Sequence, residues 1–270
     1  MRFLSTLGAG AMTLAVALDP AAAAEKQEVI VFAAGSLRGA LTEVATAWQA
    51  VAPQASVAFT FGASGLLKDR LAGGERADVF ASANMEHPQA LAAAGRAGAP
   101  RPFARNQLCA LVAPGIDASP QTLVGRLLDA KVRVGTSTPK ADPSGDYAWM
   151  MFERIEQSGR SGAFATLSGK ALQLTGGPNS PAPPAGRSVY GAVMAAGQAD
   201  IFITYCTGAV VAAREVPSLR VVEVPPEVNV SATYGVVPMM GGAAGGAAFV
   251  DFLLSPAGQA VLARHGFAPP

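Results

Sequence analysis

The sequence predicts an α/β protein built as two lobes flanking a ligand cleft, each lobe a mixed, mostly parallel sheet covered by helices. Three observations point there. Apolar strand patterns alternate with amphipathic helical ones along most of the chain, which is how a helix-covered parallel sheet reads in one dimension. The alternation falls into two blocks of similar size, with helical segments left at the end to return to the first block. Two strands of the first block each run into a small-residue turn bearing a serine, Gly35-Ser36-Leu37 and Gly62-Ala63-Ser64-Gly65, with a helix starting just after.

Residues 1–24 stand apart from the fold. Arg2 provides a positive start, residues 4–18 are mostly apolar, and Ala21-Ala22-Ala23-Ala24 offers a small-residue cleavage site before Glu25. That order is a secretory signal peptide. A membrane anchor is the alternative, but the apolar run is short for a span and ends at Asp19-Pro20. The mature chain is therefore expected to be exported and soluble.

Val29-Ile30-Val31-Phe32-Ala33-Ala34 is the first strand. Leu37, Leu41, Val44 and Trp48 recur at helical spacing to about Ala50, and Pro53 closes that segment. Val57, Phe59 and Phe61 alternate as a strand, and Leu66, Leu67 and Leu71 mark a short helix ending at Gly73-Gly74. Residues 77–83 form a third strand and 86–94 a third helix, closed by Gly95.

In the second block, 108–112 is a strand, 123–128 a helix and 132–136 a strand. Helices follow at 147–156 and 189–196, separated in part by a Pro-, Gly- and Ser-rich loop over 176–186. A strand at 201–205 and extended segments at 219–224 and 230–237 complete the block. Gly241-Gly242 to Gly245-Gly246 reads as a hinge-like stretch before a helix at 247–254. Ser255-Pro256 then caps and starts a last helix over 257–265. The lobes are expected to be 25–107 with 235–270, and 108–234, with strands crossing between them near 106–111 and 232–237.

Composition excludes several classes. The net charge is +1 with acids and bases interspersed, and no basic stripe carries interleaved aromatics, so nucleic acid is not an expected partner. The two cysteines, Cys109 and Cys206, lie in apolar patterns of what look like separate elements, which favours two buried thiols over a bridge. With two histidines, His87 and His265, equally scattered, no metal-site spacing is present.

The serine turns carry the chemistry. Each places a hydroxyl and the unpaired N–H groups of a helix start at the carboxyl end of a strand, where open α/β sheets bind ligands and where anions are favoured. Taken singly, each serine is also an ordinary helix N-cap. Gly35, Gly62 and Gly65 allow close approach to the backbone.

Six stretches then come together. They are Ala33-Ala34-Gly35-Ser36-Leu37, Phe61-Gly62-Ala63-Ser64-Gly65-Leu66, Gly74-Glu75-Arg76-Ala77-Asp78-Val79-Phe80-Ala81-Ser82-Ala83, Asp142-Pro143-Ser144-Gly145-Asp146-Tyr147-Ala148, Ala196-Gly197-Gln198-Ala199-Asp200 and Phe249-Val250-Asp251-Phe252-Leu253-Leu254-Ser255. In this order, over essentially the whole mature chain, they resemble the periplasmic molybdate-binding proteins of ABC importers. The resemblance implies a type II periplasmic-binding-protein fold, no catalysis and no cofactor. It implies molybdate or tungstate as ligand, and delivery by a monomer to a membrane permease and its ATPase. In that family, serine hydroxyls and backbone N–H groups from both lobes, with one tyrosine hydroxyl, hold the oxyanion. Carried over by motif, Ser36 and Ser64 are the first-lobe ligands, Ser144 the second-lobe backbone donor and Tyr205 the tyrosine. The remaining donor falls at Arg187 or Ser188. Such a site suits a permanent dianion: bonds from neutral donors to an ion are about twice as strong as neutral ones, and a site without acceptors leaves the proton of hydrogen phosphate unpaired.

The second lobe departs from the family's Val-Pro-Ala-Gly-like turn. Thr138-Pro139-Lys140-Ala141-Asp142-Pro143-Ser144-Gly145 is longer and brings in Asp142. In related archaeal tungstate and molybdate binders, carboxylates from this region join the metal's coordination, which makes Asp142 a candidate for direct coordination; a turn residue is the plain alternative. Arg187 brings a cation where the common pattern presents an amide, either to pair with the anion or to sit solvated in a loop. The rivals are a receptor for sulfate, thiosulfate or a carboxylate, a sensor domain, and a secreted serine hydrolase. Gly62-Ala63-Ser64-Gly65 lacks the Gly-x-Ser-x-Gly elbow that the hydrolase needs.

Overall fold

The computed structural model describes residues 27–181 and 186–270; the expected signal peptide lies outside the described residues. The first block is β1 (Gln27–Ala34), a 3-10 turn (Gly35–Leu37), α1 (Arg38–Val51), β2 (Ala55–Gly62), α2 (Ser64–Ala72), β3 (Val79–Ser82) and α3 (Glu86–Ala93). Next come β4 (Arg101–Val112), α4 (Leu123–Leu128), β5 (Val134–Ser137), α5 (Pro143–Gln157), α6 (Ala163–Lys170) and β6 (Leu172–Thr175). The chain continues through α7 (Val189–Ala195), β7 (Ile201–Tyr205), α8 (Cys206–Glu215), β8 (Arg220–Glu223), β9 (Ser231–Pro238), α9 (Ala244–Leu254) and α10 (Pro256–Arg264).

The strands run in the order β2-β1-β3-β9-β4-β7-β5-β6, and β8 also pairs with β4. The outer pairs of β1 with β2 and β3, and of β5 with β6 and β7, are parallel. The centre is antiparallel. There β4 changes partners along its length: Arg101 to Gln107 pair with β9, and Leu108 to Val112 with β7, while Cys109 to Val112 also pair with β8. One long strand thus belongs to both half-sheets of a two-lobed α/β fold.

Burial follows the strand alternation. Val29, Val31 and Ala33 face a core shared with Leu41, Val44 and Trp48 of α1 and with Phe249, Val250 and Leu253 of α9. Phe32 faces the other way, onto Leu67 and Leu71 of α2 and Leu91 of α3. The second half-sheet repeats the arrangement. Leu108, Ala110 and Val112 pack on Met151, Phe152 and Ile155 of α5, while Cys109 and Leu111 pack under α7 and α8. Helices therefore cover both faces, which is why β3, β5, β7 and the Leu108–Val112 half of β4 are buried throughout. The closing helices return to the first half-sheet, where Trp48 and Phe249 meet edge to face at 5.3 Å. No single described helix is long and apolar enough to cross a bilayer.

Five features differ from the sequence reading. The strand expected at 108–112 starts at Arg101, and α5 starts at Pro143 because Asp142 caps it and Pro143 supplies its first turn. The helices α6 and α8 and the strand β6 are additional. Gly245 and Gly246 form the first turn of α9, so the hinge-like reading of that stretch gives way to a helix start. Finally, Cys109 and Cys206 form a disulfide, which corrects the expectation of two buried thiols. The elements are remote in sequence but adjacent in the sheet: Cys109 stands opposite Thr204, two residues before Cys206, and the two cysteine Cα atoms are 4.7 Å apart.

Candidate functional site

Ser36 lies on the turn that ends β1, and its Oγ shares a hydrogen bond of 3.1 Å with the hydroxyl of Tyr234 on β9. That hydroxyl also accepts from Asn106 Nδ2 at 3.4 Å. Ser64 opens α2 and is buried; its Oγ accepts from the Ala83 N–H at 3.1 Å, tying the second serine turn to the end of β3. The next amide, Gly65 N–H, donates to the Ala141 carbonyl at 2.9 Å. The start of α2 therefore meets the turn before α5. A side chain at position 65 would place its Cβ 2.5 Å from the Lys140 carbonyl oxygen, so glycine is required for that approach. Lys140 has a left-handed φ of 67°, and its N–H donates to Asp146 Oδ1 at 2.7 Å.

On the α5 side, Asp142 Oδ1 accepts from the Ser144 N–H at 3.1 Å. Burial pushes the Asp142 carboxyl up to about 6, against the opposing pull of the Ser144 amide and the Ser137 hydroxyl. The hydroxyl of Ser144 is buried and has no partner among the described residues. Neither do the buried hydroxyls of Thr136, Thr204 and Tyr205. Tyr205 closes β7 with its ring between Tyr147 and Tyr234, at centroid distances of 6.2 and 5.5 Å. Burial holds its hydroxyl well above the ordinary tyrosine range, so it remains a neutral donor. Tyr190 of α7 faces the hydroxyls of Thr204, Ser137 and Ser144, and burial pushes it up to about 12.

Arg187 and Ser188 both meet Glu215 of α8. Ser188 N–H donates to both carboxylate oxygens of Glu215 at 2.9 Å, and its Oγ caps α7 by accepting from Gly191 N–H at 3.2 Å. Arg187, about half exposed, pairs with the same carboxylate through Nε at 3.1 Å.

The structure thus connects Ser36, through Tyr234, to Tyr205, and groups Ser144 with Asp142. It joins the Ser64 turn to the segment containing Asp142 and turns Arg187 and Ser188 toward Glu215. Tyr234, Tyr190 and Asn106 did not emerge from the sequence reading. The two tyrosines sit in apolar patterns where an aromatic reads as core, and only their hydroxyl contacts separate them from it. Around these hydroxyls the donors are neutral and Asp142 is the charged neighbour. No group of three or more His, Cys, Asp or Glu able to hold a metal ion occurs among the described residues. A cavity of about 410 Å³ opens nearby, lined by Lys68, Glu86, His87 and Ala90 together with Lys140 and Asp146. Burial, with help from Lys68, lowers the His87 imidazole.

Comparison with known proteins agrees with this architecture. The profile of the bacterial extracellular solute-binding proteins matches residues 29–268. The molybdate-binding protein ModA of Mycobacterium tuberculosis (strain ATCC 25618 / H37Rv) is 30% identical over 245 residues, covering 90% of this chain and 85% of that one. The periplasmic molybdate-binding protein of Azotobacter vinelandii superposes with a TM-score of 0.71 at 19% identity, over 90% of this chain and 99% of that one. The sulfate-binding protein SubI of Mycobacterium tuberculosis H37Rv superposes with a TM-score of 0.72 at 20% identity, over 90% and 87%. At those identities the two structures speak for the fold, here the type II periplasmic-binding-protein fold. With fold and sequence in agreement, the chain belongs to the bacterial extracellular solute-binding proteins, in the family of the molybdate-binding proteins of ABC importers.

Proposed function

We propose that the protein captures molybdate, and tungstate with it, between its two lobes in the periplasm, and delivers it to the permease and ATPase of an ABC importer without catalysing a reaction. The observation that carries this reading is the pair of buried hydroxyls on Ser144 and Tyr205 that lack a partner among the described residues, next to the Ser36–Tyr234 contact. A buried donor left unpaired costs about 1–3 kcal/mol, which an oxyanion recovers. Ser36 and Ser64 supply first-lobe donors, and Ser144 and Tyr205 the second-lobe donors. The lobes turn about β4 at Gln107–Leu108, where its partners change, and about the segment between β8 and β9 in place of the crossing expected near 232–237, because β9 pairs with β3 and β4 from Ser231 on. Closure brings the two donor sets onto one anion, and the ligand favours the closed form by its extra contacts there.

One observation favours a second reading. Asp142 is an acceptor among donors, and a proton-bearing oxyanion such as hydrogen phosphate has a partner there that a permanent dianion lacks. Calorimetric titration of the mature protein with molybdate, tungstate, sulfate and phosphate separates the two. Binding of molybdate and tungstate at micromolar protein is expected; silence from both while another anion binds overturns the proposal. The double variant Ser36→Ala, Ser64→Ala is expected to lose most of the affinity, and an unchanged Kd removes both serines from the site.

A further inference from the structure

The Cys109–Cys206 disulfide lies directly beside Tyr205, at the junction of β7 and α8. Cys206 follows Tyr205 directly, and strand turns into helix there without a loop: Tyr205 is both the last residue of β7 and the N-cap of α8, with no side-chain cap bond. The bridge fastens the first residue of α8 to β4, one position beyond Leu108, which pairs with Tyr205 itself. A second tether lies beside it. Thr207, the next residue of α8, accepts from Asn106 Nδ2 at 2.8 Å, and the same amide reaches the Tyr234 hydroxyl that holds Ser36. Both tethers end on β4 on either side of the point where it changes partners. The far end of Tyr205 has no such restraint, since its buried hydroxyl has no partner among the described residues. The direction of that hydroxyl is therefore set by the backbone at 205–206 and by the flanking rings of Tyr147 and Tyr234.

From this geometry we infer that the Cys109–Cys206 bridge is the positioning element of the oxyanion site, holding Tyr205 so that its hydroxyl faces the ligand. The inference rests on the reading of Tyr205 as a ligand donor. Without the bridge, the first turn of α8 keeps the Asn106–Thr207 bond, the contact of Gly208 with Tyr190 and the packing of Ala209 in the core beside Leu111, but loses its covalent tie to β4 at the residue next to Tyr205. The tyrosine then samples orientations that the ligand has to select from, and affinity falls in proportion to the productive fraction. The exported location expected for the chain maintains the bridge in its oxidised form.

A double-mutant cycle tests the assignment. Molybdate Kd is measured by calorimetry for the wild type, for Cys109→Ala with Cys206→Ala, for Tyr205→Phe, and for the triple variant; Ser64→Ala serves as a second partner for the cysteine pair. The cysteine pair variant is expected to bind about tenfold more weakly, and the triple variant no more weakly than Tyr205→Phe alone. Its combination with Ser64→Ala is expected to show losses that multiply. Unchanged affinity in the cysteine pair variant, or losses that multiply with Tyr205→Phe, overturns the inference. Wild-type protein reduced with a phosphine, which takes oxygen from water as the cystine gains two electrons and two protons, then desalted without air, repeats the measurement without substitution. If both bridge-free forms lose near-UV circular dichroism at 25 °C, the bridge holds the fold as a whole and the inference is overturned.

A ligand-free readout separates this failure from failure of the functional reading. With ring-labelled tyrosine, the Tyr205 NMR signal, identified by its absence in Tyr205→Phe, is expected to shift or broaden in the cysteine pair variant. An unmoved signal overturns the positioning role even in protein that binds molybdate. A wild type that binds no molybdate while the signal moves overturns the functional reading alone.

Discussion

The carboxylate of Asp142 accepts the amide hydrogen of Ser144 at 3.1 Å, so the amide proposed as a second-lobe donor already faces an internal acceptor. An oxyanion that shares this amide sits within a few ångströms of the carboxylate. Two like charges about 5 Å apart, at an effective dielectric near 20, repel by about 3 kcal/mol. Asp142→Asn keeps a capping side chain and is expected to tighten molybdate binding at pH 7.5 by on the order of tenfold or more, read by titration calorimetry. Weaker binding would place the carboxylate in the coordination of the metal.

The same residue predicts a pH dependence of folding stability. Its carboxyl is raised from 3.8 to about 6 by burial, so the folded state holds this proton more tightly than the unfolded chain. Unfolding releases it between about pH 4 and 6. The stability this group contributes is present below that window, falls as pH rises through it and levels off above, a change of about 3 kcal/mol. Urea denaturation of the ligand-free protein at pH 4.5 and 7 should show a steeper loss in the wild type than in Asp142→Asn. Parallel behaviour would deny the burial cost.

The two serines should differ in what they do for the fold. Ser64 Oγ is the acceptor for the buried Ala83 N–H, and Ser64→Ala leaves that donor unpaired at a cost of about 1–3 kcal/mol. Ser36 is half-buried and its partner Tyr234 retains Asn106, so Ser36→Ala is expected to cost less than about 1 kcal/mol. Denaturant midpoints measure both. Equal losses would contradict the bonding pattern around Ser64.

Arg187 is expected to be silent in binding. Its half-exposed guanidinium pairs with Glu215, an interaction worth about 0–1 kcal/mol at a surface. Arg187→Ala should leave the molybdate Kd within about twofold and shift stability by less than about 1 kcal/mol. A tenfold loss of affinity would move the side chain onto the ligand.

Much of the architecture was legible because it is written in local periodicity. The local pattern gives the limits of β7 and α4, and Ser255 caps α10 by accepting from Gly258 N–H as its position before Pro256 predicts. The elements that escaped reading carry weak local signals. In α8 only Ala209 and Ala212 are buried, so no stripe of large apolar residues marks the helix. In β6 Leu172 and Gln173 are both exposed, which erases the alternation of a half-buried strand. α6 buries only Ala163 and Leu167.

The sequence by itself determined the alternating α/β order, the two serine turns at strand ends and the tyrosine that closes β7, since each depends on residues within a turn or two of one another. Tertiary structure alone decided the partners. It paired Ser36 with Tyr234 across 198 residues, Ser188 with Glu215 across 27, and Cys109 with Cys206 across 97. Periodicity reports which face of an element is buried, but hydrogen bonds and disulfides depend on separations of a few ångströms between elements. Those separations exist only once β4 has been laid between β9 and β7.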